Sequence, residues 1–186
     1  PGLVIDGVGP VAVPLTDPDV ARKIASAGRL APFGRDTETV MDTSVRKTWQ
    51  IEPSKIKVTH PEWQKGFDEL VKGMADRLGC PQLALQVKLY KGLLYEEGCF
   101  FKRHRDTEKE DGMFATLVVQ MPSLHTGGEL VVWQQDGSTT TTHDFGAAAK
   151  SAEWACHYAV HYADAEHELL PVTTGYRLAL VYSICY

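Results

Sequence analysis

Residues 95–106 read YEEGCFFKRHRD, a segment in which the end of an aromatic strand meets side chains that can bind a metal ion. Phe100 and Phe101 are typical of a β-strand, and His104 and Asp106 follow them with one residue between. Alternate side chains of an extended chain lie on one face, so the imidazole and the carboxylate can point at the same ion. Taken alone, however, so short a motif is more typical of a surface histidine beside a salt-bridged aspartate.

Two residues further along the chain strengthen the metal-site interpretation. Residues 171–175 predict a turn after His167, and residues 176–182 predict a returning strand that carries Arg177. A second imidazole from a distant strand would complete a set of two histidines and one carboxylate. Such a set occupies one face of an octahedral ion and leaves the other positions open for substrate and oxygen, as in non-heme Fe(II) oxygenases.

Arg177 is unusual in its own strand, which otherwise reads LALVY. Burying an unpaired charge is costly, so we expect an anion to contact this guanidinium. The far carboxylate of a di-acid co-substrate would form a bidentate pair with it. An internal aspartate or glutamate partner is the alternative.

The other five of the seven histidines are expected to be structural or exposed. His157 and His161 lie in one strand region, where packing or solvent exposure is the ordinary role. His125 and His143 fall in Gly- and Thr-rich segments that predict exposed loops, and His60 precedes a helix.

Composition places the chain among ordinary globular proteins. It has 186 residues, 44% of them hydrophobic, and a formal net charge of −5, which predicts a single domain with a substantial core. The acidic balance argues against a nucleic-acid partner. Lys102, Arg103 and Arg105 still form a local basic patch, which either faces the substrate or balances the acidic residues 108–111.

The sequence also bears on location. We find no apolar run of membrane-spanning length and no signal-peptide pattern, so no membrane partner is expected. Four widely spaced cysteines predict free, mostly buried thiols in a reducing compartment. Together these features predict a cytoplasmic or nuclear protein. The chain begins without methionine and ends inside an apolar stretch, as expected of a domain excised from a longer protein.

Local patterns predict a helical front end followed by strands. Residues 17–27 and 61–78 predict helices, residues 1–14 predict an entry strand or arm, and residues 49–58 are expected to contain a short strand. Apolar and aromatic runs predict further strands, whereas residues 31–45 and 135–151 predict loops without regular structure. The predicted later strands lie at residues 83–95, 114–121, 129–134, 154–170 and 176–186.

These elements predict an α+β, mainly β fold, with a jelly-roll core and N-terminal helices packed on one of its faces. We expect one domain over residues 1–186. Residues 1–82 would form the helical, substrate-shaping part and residues 83–186 the β core.

The chain resembles the prolyl 4-hydroxylase-like branch of the 2-oxoglutarate/Fe(II) dioxygenases over residues 83–182. The matching segments follow the family's order: Tyr95 to Asp106, Thr116-Leu-Val-Val, Gly127-Gly128-Glu-Leu130, His167, and Gly175-Tyr176-Arg177-Leu-Ala-Leu. The resemblance implies a double-stranded β-helix that holds iron through His104, Asp106 and His167. It further implies dioxygen and 2-oxoglutarate as co-substrates, with the far carboxylate of 2-oxoglutarate on Arg177 and Tyr95 in contact with it, and ascorbate as a stimulant.

Two departures from the family pattern concern the substrate. Phe101 stands where relatives often carry tyrosine, and Arg177 stands where many enzymes acting on collagen-like chains carry lysine. Hydroxylation of a protein or peptide, with proline as a candidate residue, is the function that the resemblance favours. The alternatives are the same chemistry on a small molecule or nucleobase, and a non-catalytic module that binds metal or 2-oxoglutarate.

Overall fold

A computed structural model describes residues 2–35, 38–134 and 136–186. The two α-helices are α1 (Pro18–Ala27) and α2 (Trp63–Arg77), and short 3-10 helices occupy Pro53–Lys55 and Ser151–Glu153. The strands in chain order are β1 (Leu3–Ile5), β2 (Gly9–Pro10), β3 (Arg29–Leu30), β4 (Phe33–Arg35), β5 (Glu38–Val40), β6 (Arg46–Lys47), β7 (Trp49–Ile51), β8 (Ile56–Val58), β9 (Gln86–Tyr95), β10 (Phe100–His104), β11 (Met113–Gln120), β12 (His125–Gly127), β13 (Leu130–Trp133), β14 (Thr140–His143), β15 (His157–Tyr162), β16 (His167–Leu169), β17 (Val172–Gly175) and β18 (Arg177–Cys185).

Two antiparallel sheets form the core. The major sheet has the strand order β15-β11-β18-β9-β7-β3, and the minor sheet has the order β14-β13-β16-β10-β6. Every residue of β18 is buried, which explains why this strand reads as an almost continuous apolar run. The inner faces of the sheets meet in a cluster that includes Leu93 and Val181 from the major sheet and Phe101, Leu130 and Leu169 from the minor sheet. This mainly β, jelly-roll arrangement confirms the predicted fold class.

The helices lie against the outer face of the major sheet. Ile24 of α1 and Met74 of α2 are fully buried in one cluster with Leu178 and Leu180 of β18. The ring of Phe67 in α2 lies 4.8 Å, centroid to centroid, from that of Tyr182. Alternation along β18 therefore sends even-numbered residues toward the helices and odd-numbered residues toward the minor sheet.

Both predicted helices are confirmed with small shifts at their ends. Asp17 caps α1 by accepting a hydrogen bond from the backbone N–H of Asp19 at 2.8 Å, and Pro18 occupies the first turn. Helix α2 begins at Trp63, two residues after the predicted start, and ends at Arg77.

The front end contains more strand than the sequence predicts. Strand β6 pairs with β10 and β7 pairs with β9, so residues before position 83 extend both sheets. The predicted strand over 49–58 is two strands, β7 and β8, which belong to different sheets. The predicted loop over 31–45 contains the paired strands β4 and β5, while its residues Asp36 and Thr37 lie outside the described residues.

Segments of two or three residues carry too little local signal, and their strand conformation comes from pairing with distant partners. The same reason applies to the N-terminal arm, where β1 pairs with both β2 and β8. Pro1, the first residue of the predicted arm, lies outside the described residues.

Three later predictions also need correction. Residues 154–170 form two strands in different sheets, β15 and β16, separated by a turn at 163–166. Residues 172–175, predicted as a turn, form β17 and pair with β12. The predicted loop over 135–151 contains β14, which pairs with β13, and its first residue, Gln135, lies outside the described residues. The division of the chain at residue 83 stays a prediction.

All four cysteines are free, and three are buried, as predicted; Cys156 is exposed. Neither described helix is long and apolar enough to cross a membrane.

Candidate active site

A cross-strand pair brings the two predicted histidine ligands together. His104 ends β10 and lies directly opposite His167, the first residue of β16. Their ring centroids are 4.2 Å apart. Asp106 follows β10, and its backbone N–H donates to the carbonyl of Ala163 at 3.0 Å, which anchors the segment beside the turn between β15 and β16.

The three predicted ligands converge on one point. The Nε2 atoms of His104 and His167 lie 3.9 Å and 3.8 Å from Oδ1 of Asp106. One ligand atom from each residue lies within 4.8 Å of the others, and among the described residues this is the one group of three or more such side chains close enough to share an ion. The spacing fits a metal ion bound on one face, with the remaining coordination positions open.

Hydrogen bonds orient both imidazoles for coordination. Nδ1 of His104 lies 2.8 Å from the carbonyl of Lys102, and Nδ1 of His167 lies 3.0 Å from that of Ala165. A carbonyl can only accept, so each Nδ1 is the protonated nitrogen and each Nε2 keeps its lone pair. The backbone therefore sets the tautomer that a metal requires.

The electrostatic environment favours a neutral His104 and an ionised Asp106. Burial, reinforced by His167, lowers the pKa of His104. Burial alone would raise the pKa of Asp106, but the neighbouring imidazoles of His167 and His161 and a hydrogen bond from Thr116 hold it below its usual range. These two ligands therefore need to release no proton to bind a metal at neutral pH.

Thr116 fixes the rotation of the aspartate ligand. Its hydroxyl donates to Oδ2 of Asp106 at 2.6 Å, which leaves Oδ1 directed at the two Nε2 atoms. We expect Thr116→Val, which removes this donor and keeps the shape, to lower Fe(II) affinity by about 10- to 100-fold. Anaerobic calorimetric titration measures this effect. Thr126→Val is the matched control, because Thr126 is exposed and bonds only other threonines among the described residues; equal losses in both variants would contradict the role of Thr116.

Arg177 lies at the start of β18 and is 1% exposed. Its Nε and Nη2 atoms have no hydrogen-bond partner among the described residues. Its Cζ lies 4.5 Å from the ring centroid of Phe145 and 5.2 Å from that of Tyr95. Burial lowers the pKa of Arg177 to about 10, which leaves the group charged at neutral pH. The internal carboxylate considered in the sequence is absent from the described residues, and two donors remain for an external anion.

A glycine makes room for this arginine. Gly128 has φ of +73°, and a Cβ at this position would lie 3.3 Å from Cδ of Arg177 and 2.9 Å from Cγ2 of Val172. A larger residue would therefore be strained in its backbone and crowded against Arg177. This explains a glycine in the Gly127-Gly128 pair.

One cavity joins the metal site to Arg177. It encloses about 430 Å³ and is lined by His104, Asp106 and His167, and also by Tyr95 and Arg177. Tyr95 is paired with Arg177 across β9 and β18. All five predicted site residues thus face one space between the sheets.

Two further histidines, His161 and His125, are buried, and only the burial of His125 contradicts its prediction. His161 lies opposite Thr116 in the major sheet, and its ring centroid is 4.2 Å from that of His167. Burial and His167 lower its pKa to about 4. His125, predicted to be exposed in a loop, is 5% exposed in β12, and its Nε2 has no partner among the described residues. Alternation with the buried Ala159 could have indicated an inward-facing His161.

Two further cations of the cavity wall, Arg46 and Lys91, also went unpredicted. Arg46 belongs to the short strand β6, which has no local signal. Lys91 lies in a strand that also carries the exposed Lys88, so the sequence alone does not tell which of the two lysines faces inward.

The residues of the local basic patch make different contacts. Arg103 forms an ion pair with Glu166 and its Cζ lies 4.2 Å from the ring centroid of Trp133. Arg105 lines the cavity. In the acidic segment, Glu110 pairs at 2.7 Å with Lys88, which is not a residue of the patch.

A jelly roll whose strands direct two imidazoles and one carboxylate at one point defines a mononuclear metal centre of the non-heme oxygenase class. The family model described as the 2OG-Fe(II) oxygenase superfamily matches residues 87–184, more than half of the chain. The chain therefore belongs to the 2OG-Fe(II) oxygenase superfamily, whose members use Fe(II), 2-oxoglutarate and dioxygen. The residues present fit these groups, because three metal-ligand atoms converge and two donors of Arg177 have no partner among the described residues.

Solved structures share the fold. A prolyl-4-hydroxylase from Pseudomonas putida is 21% identical, with 89% of this chain and 82% of that chain covered and a TM-score of 0.55. A prolyl hydroxylase from Trichoplax adhaerens, solved with a peptide fragment of the hypoxia inducible factor oxygen degradation domain, is 13% identical. It covers 99% of this chain and 84% of its own, with a TM-score of 0.53. No curated protein sequence matches the chain.

Proposed function

We propose that this protein is an Fe(II)- and 2-oxoglutarate-dependent dioxygenase that hydroxylates a protein or peptide, with proline as the first candidate residue. The observation that carries the proposal is the cavity that joins the His104, Asp106 and His167 cluster to the buried donors of Arg177, which have no partner in the part of the chain that the structure describes. A dicarboxylic acid bound between them would satisfy the metal at one end and the guanidinium at the other.

Some residues of the cavity would bind the metal and the co-substrate, and others would keep water away from them. His104, Asp106 and His167 would hold Fe(II), and Arg177 would hold the far carboxylate of 2-oxoglutarate beside Tyr95. Leu93, Leu130, Leu169 and Val181 line the space between these ends and limit the entry of water.

Bound Fe(II) supplies dioxygen activation, so that 2-oxoglutarate, dioxygen and a substrate C–H yield succinate, carbon dioxide and the hydroxylated product. Each neutral imidazole supplies one donor atom, and the Asp106 carboxylate supplies the third and only anionic one. Because that carboxylate occupies its position, it leaves no vacancy for a halide ligand, and hydroxylation is favoured over halogenation. The substrate must bring its C–H bond to the open side of the cluster.

Two observations support a protein or peptide substrate: the cavity opens at the surface, and prolyl hydroxylases share the fold. The cavity wall includes Arg105 and Lys109, which are exposed, so it opens at the surface and a chain segment can enter from outside. Both structural relatives reported above are prolyl hydroxylases, and one of them was solved with a peptide.

We expect the protein, supplied with Fe(II), ascorbate and 2-oxoglutarate, to form succinate and to add one oxygen atom to a proline-containing peptide. Mass spectrometry of peptide and metabolite pools incubated with the enzyme measures the product, and pools lacking 2-oxoglutarate are the control. An added oxygen found only in metabolites would contradict the peptide substrate. Metal and 2-oxoglutarate binding with no succinate from any pool would instead indicate a non-catalytic binding module.

A further inference from the structure

The cavity carries more positive charge than iron and 2-oxoglutarate can balance. Among its described lining residues the one carboxylate is Asp106, which faces the metal position. The cationic lining residues are Arg29, Arg46, Lys91, Arg105, Lys109 and Arg177. Fe(II) and the 2-oxoglutarate dianion cancel each other, so their arrival leaves this imbalance unchanged.

Some of these cations already have carboxylate partners outside the cavity. Arg29 pairs with Glu52 at 2.9 Å, and Arg105 lies 4.0 Å from Glu166. Arg177 serves the co-substrate in the function proposed above. Arg46, Lys91 and Lys109 remain, and none of them forms an ion pair with any described carboxylate. Lys109 is exposed and its Nζ donates to the hydroxyl of Thr107, so Arg46 and Lys91 are the two of these that face inward.

Arg46 is anchored by a hydrogen bond, but one of its buried donors has no partner among the described residues. It is 5% exposed, and its Nη1 donates to the carbonyl of Pro32 at 2.7 Å. Its Nε is buried with no hydrogen-bond partner among the described residues. A buried guanidinium with an unused donor is costly unless an anion completes its hydrogen bonds.

The ring of Phe101 lies between the guanidinium of Arg46 and His104, one of the predicted metal ligands. Its Cζ is 4.3 Å from the ring centroid of Phe101, and that ring stacks on the imidazole of His104 at 3.4 Å between centroids. Phe101, the residue that departs from the family pattern, therefore lies between Arg46 and His104. An anion held by Arg46 would place the rest of its molecule beside the metal cluster.

Lys91 extends the same positive region along β9. Its side chain shares the inner face with Leu93 and Tyr95 and lies four residues, or about 13 Å of strand, from the Tyr95 and Arg177 pair. Its Nζ is 4.5 Å from the ring centroid of Tyr90. Burial lowers the pKa of both Lys91 and Arg46, and the charge of Arg46 lowers that of Lys91 further. A carboxylate between them would favour the charged form of both.

We propose that Arg46 and Lys91 form a second anion subsite, which binds a carboxylate of the hydroxylated substrate close to the target residue. This inference rests on the proposed function and narrows its substrate class to acidic peptides. The subsite adjoins the Arg177 region at Tyr95, whose side chain interacts with Arg46 and whose ring lies 5.2 Å from Cζ of Arg177. Arg177 would bind the co-substrate, and Arg46 with Lys91 would bind the substrate. The carboxylate can come from an aspartate or glutamate side chain or from a peptide C-terminus.

The test compares matched peptides on the whole protein loaded with Fe(II) and 2-oxoglutarate without oxygen. The probes are acetylated, amidated pentapeptides with a central proline and one aspartate placed in turn at each other position, each beside its asparagine twin. Acetyl-Gly-Pro with a free or an amidated C-terminus tests the second source. We expect at least one carboxylate probe to bind about 10- to 100-fold more tightly than its neutral twin, measured by calorimetric titration.

Variants assign that preference to the subsite. Arg46→Met and Lys91→Met should each reduce the preference to within about threefold, and Arg46→Lys should retain part of it because the charge remains. Lys47→Met and Lys88→Met are the matched controls, since these residues are exposed on the same two strands and should leave the preference unchanged.

Three outcomes would overturn the subsite. They are equal binding of every carboxylate probe and its neutral twin, a preference that persists in Arg46→Met, and a loss of 2-oxoglutarate affinity in Arg46→Met with no peptide present. Binding is measured without turnover, so the proposed function is judged separately. Carboxylate-selective binding without succinate formation under oxygen would support the subsite and contradict the hydroxylase.

Discussion

Replacing His104 or His167 with alanine is expected to lower Fe(II) affinity by at least about 100-fold and to abolish 2-oxoglutarate turnover. Each substitution removes one of three converging donor atoms, and loss of a group that merely supports a ligand already costs about 10- to 100-fold. Anaerobic calorimetric titration of Fe(II) into each variant measures the effect, and circular dichroism verifies the fold.

Two further histidine variants make this measurement specific. His60→Ala should bind Fe(II) as the unaltered protein does, because His60 is exposed and far from the cavity lining. His161→Ala should lower Fe(II) affinity less than about tenfold, since His161 contacts His167 but lies outside the three-residue cluster. Unchanged affinity in His104→Ala or His167→Ala would show that the ligand assignment is wrong.

Replacing Arg177 with methionine is expected to lower 2-oxoglutarate affinity by about 30-fold or more. Removing one partner of a buried, hydrogen-bonded charge pair costs about 2–5 kcal/mol. Fe(II) affinity should not change, because Arg177 is absent from the ligand cluster. Titration of 2-oxoglutarate into the anaerobic Fe(II) protein measures the loss.

Thermal unfolding of the metal-free variant separates binding from structure. Because Arg177 is buried and two of its donors have no partner among the described residues, its replacement by methionine should leave the melting temperature unchanged or raise it. Arg103→Met is the control, since its surface ion pair with Glu166 is expected to contribute little to either property. A lower melting temperature with unchanged 2-oxoglutarate affinity would mean that Arg177 is structural.

The confirmed predictions depended only on the pattern of residues along a single strand or a single helix. Helix α2 follows from apolar residues at helical spacing, and β18 follows from an apolar run. The unusual position of Arg177 within that run correctly indicated an arginine without an internal carboxylate partner among the described residues, and the anion itself stays a prediction. His104 and Asp106 were predicted as a pair because neighbouring residues restrict each other's direction within an extended segment.

The predictions that failed concern pairing between distant segments. His161 and His167 were placed in one strand region, yet the turn at 163–166 puts them in two sheets with their rings 4.2 Å apart. His125 was expected to be exposed to solvent because β12 and β17 are too short to be predicted from local sequence, and each forms by pairing with the other. Arg46 reaches the cavity only because β6 pairs with β10.

Residue types alone indicated the chemistry of the candidate site, because two imidazoles, one carboxylate and an arginine within an apolar strand can bind a metal ion and an anion. Which other side chains share the cavity depends on how distant strands pair. Register across β10, β16 and β18 selects them, and register depends on contacts between residues far apart in the chain. The pairing of the strands therefore had to be known before Arg46 and Lys91 could be placed in the cavity. We propose that these two residues restrict the substrate class to acidic peptides.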